Sequence, residues 1–327
     1  MDASELDEAV RRADLDELLR VVDALCSARD WDSLETLRER CARAHETGRQ
    51  LWPVASHSAY RLALEAPAPW AAAVLGDDGA AFSIGPLPEV AAQSHEWREL
   101  EPHVPHGAPA VLAAHERVLR GEDLSEIVLP GPPVLDVPLR LAEWEPAYAL
   151  AEYRSDRADF PMPEIPTQQG TTLPPPPSAI ERDEASRTLA ELVRVWTAGS
   201  DGHANAVSVR GDPLDAIAAI GARDARVTTI DASLAMALMA WAAASGGAHG
   251  RRPGAAAGRF AAWWAAGAMT DLLDDWPPDP DQLGIELTAL DFVAWDGGEP
   301  ETGWRLHLAV GNPALGQAWA VAATDAR

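Results

Sequence analysis

The residues best suited to chemistry in this sequence are one histidine and three arginines set in an acid-free window. From Ala232 to Thr270, 39 residues pass without an aspartate or glutamate, in a chain that carries 51 acids over its 327 residues. His249, Arg251, Arg252 and Arg259 lie in that window. In the string SGGAHGRRPGAAAGR, Gly246 and Gly247 end one helix and Pro253 opens the next, so the loop between them sets guanidinium groups at a helix N-terminus. Free amides and the positive end of the helix dipole attract anions there. Arginine adds planar, paired donors that match carboxylate or phosphate. On this reading His249, Arg251, Arg252 and Arg259 form an anion-binding site, with His249 available as an acid or base. The same residues admit a structural reading. Gly254, Gly258, Ala262 and Ala266 recur every four residues as a smooth stripe for close helix packing, and the arginines pair with acids from elsewhere in the chain.

Other groupings carry less chemistry. His95, His103, His106 and His115 lie close together among glutamates, but His95 and Glu96 begin an HExxE string where a zinc helix needs HExxH, so exposed loop histidines are expected. The run DDWPPDPD lacks the D-x-[DN]-x-[DN]-G spacing of a calcium loop, and Asp279 or Asp281 is expected to cap the following helix. The 13 tryptophans, set against only four phenylalanines, are expected to fill cores. Cys26 and Cys41, the two cysteines, fall at apolar helical positions and are expected as buried free thiols. These readings leave no metal site and call for no cofactor.

All 26 basic residues are arginine. Without lysine there is no Walker A loop, no Schiff-base enzyme, no kinase-type ATP lysine and no Ser-x-x-Lys acyl enzyme. A formal charge of −25 repels phosphate backbones and anionic lipid, so neither nucleic acid nor membrane is an expected partner. The acidic start MDASELDEAV is unlike a secretory signal and implies a cytoplasmic protein. The strings SGGAHGRRPGAAAGRFAAWW, DDWPPDPDQLG and GWRLHLAVGNP resemble uncharacterised actinobacterial proteins. That resemblance implies a bacterial cytoplasmic origin and brings no activity or catalytic residue with it.

Helical periodicity over Leu6–Cys26 and again from Leu34, with Pro53 opening a further helix, predicts an N-terminal helical array. A hairpin is expected over Trp70–Ile84 and a helix over about Glu89–Leu100. Residues 130 to 177 hold 12 prolines and cannot make a long helix or a central strand. Beyond them, helices and short strands alternate, and Trp304, Leu306, Leu308 and Val310 alternate with Arg305, His307 and Ala309 as a half-buried strand that closes an antiparallel hairpin. The fold class is therefore α+β and predominantly helical. A mainly helical domain spans 1–129, a proline-rich linker or packed arm 130–178, and an α+β domain 179–327. Two functions follow from these features. The leading one is a non-catalytic binding or regulatory protein with a protein partner; the alternative is an enzyme or sensor for an anionic small molecule at the arginine–glycine loop.

Overall fold

A computed structural model describes residues 3–44, 48–76, 83–129, 134–298 and 303–326. Its described residues fall into two compact units, Met1–Val134 with Ala151–Phe160, and Leu135–Leu150 with Pro161–Arg327. The fold is α+β and rich in helix. The proline-rich stretch is divided between the units, and no helix forms among its described residues.

The first unit contains α1 (Ala3–Arg12), α2 (Leu15–Ala28), α3 (Trp31–Ala44), α4 (Trp52–Glu65), α5 (Ala68–Ala73), α6 (Leu87–Ser94), α7 (Trp97–Leu100) and α8 (Ala108–Leu119). A two-stranded hairpin, β1 (Glu152–Tyr153) and β2 (Ala158–Asp159), completes it. The first helical pattern breaks at Ala13, which takes a positive φ of 53° before Asp14 caps α2 by accepting from the Glu17 amide. Leu18, Val22, Leu34, Leu37 and Leu62 are all fully buried, as the apolar periodicity requires. Cys26 and Cys41 are free and buried, and burial pushes their thiols up to about 11 and about 12.

Several local expectations are corrected here. The helix expected through Leu100 stops at His95, because Glu96 and Glu99 form a capping box that restarts the chain as α7. Residues 68–73 are helical, where the first limb of a hairpin was expected, and the turn of that hairpin lies outside the described residues. Of the four clustered histidines only His103 and His106 are exposed. His115 is buried within α8, and His95 Nε2 lies 3.0 Å from the Ala66 carbonyl.

The second unit is built on a six-stranded antiparallel sheet. Its elements in chain order are β3 (Gln169–Thr172), α9 (Glu184–Glu191), α10 (Arg194–Gly199), β4 (His203–Arg210), α11 (Pro213–Ala219), β5 (Asp224–Ile230), α12 (Ala232–Ala244), α13 (Ala255–Met269), α14 (Pro280–Thr288), β6 (Asp291–Asp296), β7 (Trp304–Asn312) and β8 (Gln317–Asp325). The strand order is β3-β5-β6-β7-β8-β4. Alternation along each strand sorts side chains between two faces. On one face Val207, Val209, Ala309, Ala318 and Ala320 form a core with Ala216 and Ile217 of α11. On the other, α12 packs against β6 and β7, and α9 against β4 and β8.

Acids contribute to the fold as helix caps. Asp183, Asp212, Asp231 and Asp279 each accept backbone amides at the start of α9, α11, α12 and α14. Helix α12 is apolar all round because it is buried between the sheet and α13. Gly258 lets α13 approach it closely: a Cβ at that position would collide with the Ala240 carbonyl and lie 2.7 Å from the Ala244 methyl.

Candidate functional site

The loop between α12 and α13 keeps three of the four residues singled out by the sequence. His249 and Arg251 are exposed, and Arg252 is half-buried. The loop backbone folds around a carboxylate of its own chain. Asp325, buried at the end of β8, accepts the Ala248 amide at 2.6 Å and the Ser200 hydroxyl at 3.1 Å. Gly247 turns the chain there with φ of 67°, a conformation that suits glycine.

Arg259, expected beside them as an anion ligand, is placed elsewhere. It lies inside α13 with 0% of its side chain exposed, paired with the equally buried Glu145. Nε and Nη2 donate to the two Glu145 oxygens at 2.7 Å each, Nη1 donates to the Pro138 carbonyl at 2.8 Å, and Nη2 also reaches the Arg140 carbonyl at 2.9 Å. Glu145 accepts further from the Tyr148 hydroxyl at 2.6 Å, Trp263 Nε1 at 3.0 Å and the Ala142 amide at 2.9 Å. Burial alone would raise the Glu145 carboxyl, but the hydrogen bonds and charge of Arg259, with help from Tyr148 and Ala142, hold it below the usual carboxylate range. The network pins residues 138–148 of the proline-rich stretch to α13.

A different cluster of charge lines a cavity at the end of the sheet. The register sets Arg226 of β5 directly opposite Asp296 of β6. Asp296, 1% exposed, takes one guanidinium from Arg226 and a second from Arg305 of β7, the latter at 3.2 Å, and accepts the Gly298 amide at 2.8 Å. Burial raises the Asp296 carboxyl, whereas the Gly298 amide and the two arginines lower it, and the lowering wins. Ala294 pairs with Leu308, and one step further along the two strands Trp295 lies beside His307. Their rings stack with centroids 4.3 Å apart.

Arg226, Arg305, Trp295 and His307 line a cavity of about 270 Å³ whose remaining wall is the strap Met162, Ile165, Pro166, Thr167 and Gln168, which leads into β3. Arg226 also borders a neighbouring hollow lined by Thr171, Thr172, Asp224 and Gly297. His307 is 8% exposed and Trp295 4%. Burial, reinforced by the charge of Arg305 and opposed by Asp296, lowers the His307 imidazole to about 4, so the ring is neutral near pH 7. Trp295 Nε1 and His307 Nδ1 are buried without a hydrogen-bond partner among the described residues. Leaving such a group unsatisfied costs about 1–3 kcal/mol.

Residues 16–327 match a family model described as a family of unknown function (DUF6183). The chain belongs to this family. No curated protein and no solved structure matches it. Among the described residues no group of three or more His, Cys, Asp or Glu side chains could hold a metal ion, and no helix is long and apolar enough to cross a membrane.

In this family member the strands that carry the cavity are legible from the sequence, but its site is not. Arg305 and His307 occupy alternate positions of β7, and strand alternation alone assigns them to a solvated face. The available signal was a histidine and an arginine on the polar side of an otherwise apolar strand, with a second arginine opening the Arg226–Ile230 pattern. Nothing in the local sequence shows that the strap from Met162 to Gln168 borders them.

Proposed function

We propose that this protein is a non-catalytic binding or regulatory protein whose C-terminal unit recognises a small anionic molecule in the cavity formed by Arg226, Arg305, Trp295 and His307. The observation that carries this reading is that Arg226 and Arg305, both lining the cavity, share the single carboxylate of Asp296. Two positive groups against one negative, with a neutral imidazole, leave the cavity with a single positive charge inside a protein of formal charge −25. An anion is thus drawn to this cavity and repelled by most of the remaining surface. The proposal includes a cytoplasmic, actinobacterial setting and a protein partner that senses the bound state. The lysine-free composition and the helical first unit support these parts of it.

The loop His249–Arg252 is the second reading, favoured by the exposure of Arg251 and His249. Asp325 weighs against it, because this carboxylate already takes the Ala248 amide and a ligand anion would have to approach a buried negative charge. Isothermal titration with small carboxylates and inorganic phosphate, at low and high salt, separates the two sites. Arg305→Gln should weaken binding roughly 10- to 100-fold, the effect of one charge-assisted hydrogen bond of about 1.5–3 kcal/mol, while Arg251→Ala leaves it unchanged. The reverse pattern would move the site to the loop, and an anion panel silent on the wild type would end the reading.

A further inference from the structure

We infer that the occupant of the Arg226–Arg305–His307 cavity is a monocarboxylate with an apolar body, in preference to phosphate or a dicarboxylate. This rests on the reading of that cavity as an anion site and names the anion. Charge balance supplies the first part of the argument. Arg226 and Arg305 together carry two positive charges, and Asp296, held by both, cancels one. His307 is neutral near pH 7, because its ring is buried and Arg305 stands beside it. One negative charge in the cavity is therefore compensated and a second is not. A second negative charge would also stand against the buried carboxylate of Asp296 with no guanidinium left to balance it. Asp224, lining the hollow on the other side of Arg226, opposes a second negative charge there as well.

The wall chemistry supplies the second part. Met162, Ile165 and Pro166 of the strap and the Trp295 ring are apolar, whereas the charged donors gather at Arg226 and Arg305. Inorganic phosphate or sulfate, polar on every side, would leave that apolar wall against charged oxygens. A carboxylate on a short hydrocarbon or an aromatic ring satisfies both surfaces together. Its two oxygens accept from the guanidiniums, and its body removes the strap residues from water. At about 270 Å³ the cavity sits at the small end of ligand sites, which suits a compact body of this kind.

The test is a titration series on the full-length protein at constant ionic strength, with acetate, butyrate, benzoate, succinate, sulfate and inorganic phosphate as probes. Butyrate should bind at least about tenfold more tightly than acetate, the effect of burying two methylenes, and benzoate at least as tightly as butyrate. Succinate, sulfate and phosphate should each bind more weakly than butyrate. Ile165→Asn should narrow the gap between butyrate and acetate. Equal affinity for acetate and butyrate, or tighter binding of phosphate, sulfate or succinate, overturns the inference while leaving the anion reading intact. If no probe binds, the anion reading falls and this inference falls with it.

Discussion

Replacing Arg259 by methionine separates a structural arginine from a ligand-binding one. The substitution keeps side-chain length and removes the charge. Glu145 would remain buried with only the Tyr148 hydroxyl, Trp263 Nε1 and the Ala142 amide as donors. Two charge-assisted bonds at 2.7 Å disappear, and the Pro138 and Arg140 carbonyls lose the donors that Arg259 brings them. Breaking a fully buried pair from one side costs about 3–5 kcal/mol. For a unit of this size each kcal/mol lowers the melting temperature by roughly 2–4 °C, so a drop of roughly 6–20 °C is expected in the C-terminal transition. Urea denaturation at pH 7 followed by tryptophan fluorescence would measure the free-energy loss, and a thermal melt the drop in melting temperature. Because Arg259 holds the Glu145 carboxyl low, the stability it confers is present above the unfolded value near 4.3 and lost as pH falls through the folded one. In Arg259→Met burial should raise the carboxyl toward or above its unfolded value, so that acid-dependent loss should shrink or reverse, and the gap between the variant and the wild type should narrow as pH falls. The double variant Arg259→Met with Glu145→Leu should be more stable than Arg259→Met alone, since replacing a whole buried pair by apolar groups is often close to neutral. A loss below about 1 kcal/mol in the single variant, the size of an exposed pair, would refute the reasoning.

Two further outcomes are expected. Alanine in place of glycine inside a helix normally stabilises by up to about 1 kcal/mol, but Gly258→Ala should destabilise by about 1–3 kcal/mol, because its Cβ would press on the Ala240 carbonyl; a rise in chemical-denaturation midpoint would contradict the tight α12–α13 contact. His307 titrates near 6.5 when unfolded and at about 4 when folded, so the unfolded chain binds the extra proton between those values and stability must fall on acidification across that window. The loss should reach on the order of 3 kcal/mol, about 2.5 pH units at 1.36 kcal/mol each, and His307→Gln should remove that part of the slope between pH 6.5 and 4; an unchanged slope would show that the ring is not held neutral by burial.

The sequence by itself determined the helices with strong apolar periodicity, their aspartate and proline starts, and the C-terminal hairpin, because each of these depends on residues a few positions apart. Leu18, Val22, Leu34 and Leu37 had to face inward for the N-terminal helices to bury anything. A cap at Asp279 or Asp281 followed from the local run of prolines, and Asp279, just before Pro280 and with amides within reach, is the one that caps α14. Strand β3, in contrast, reads QGTT and shows no apolar alternation; it is a strand only because β5 pairs with it at the sheet edge. Helix α8 escaped notice because its glycine–proline start lies among the clustered histidines, and its periodicity is carried largely by alanine.

The site shows the same division. Arg259 looked available because its own window holds no acid, yet its partner Glu145 lies 114 residues earlier in the chain. His307 looked solvated because strand alternation assigns only a face and cannot show which segment covers it; residues 162–168 border it from well over 100 positions away. Local sequence dictates caps, periods and turns, since these are satisfied within a few residues. Which charges become buried, which arginines meet which carboxylates and which ring nitrogens are left without partners follow from distant segments meeting, and those meetings were decided only by the tertiary structure.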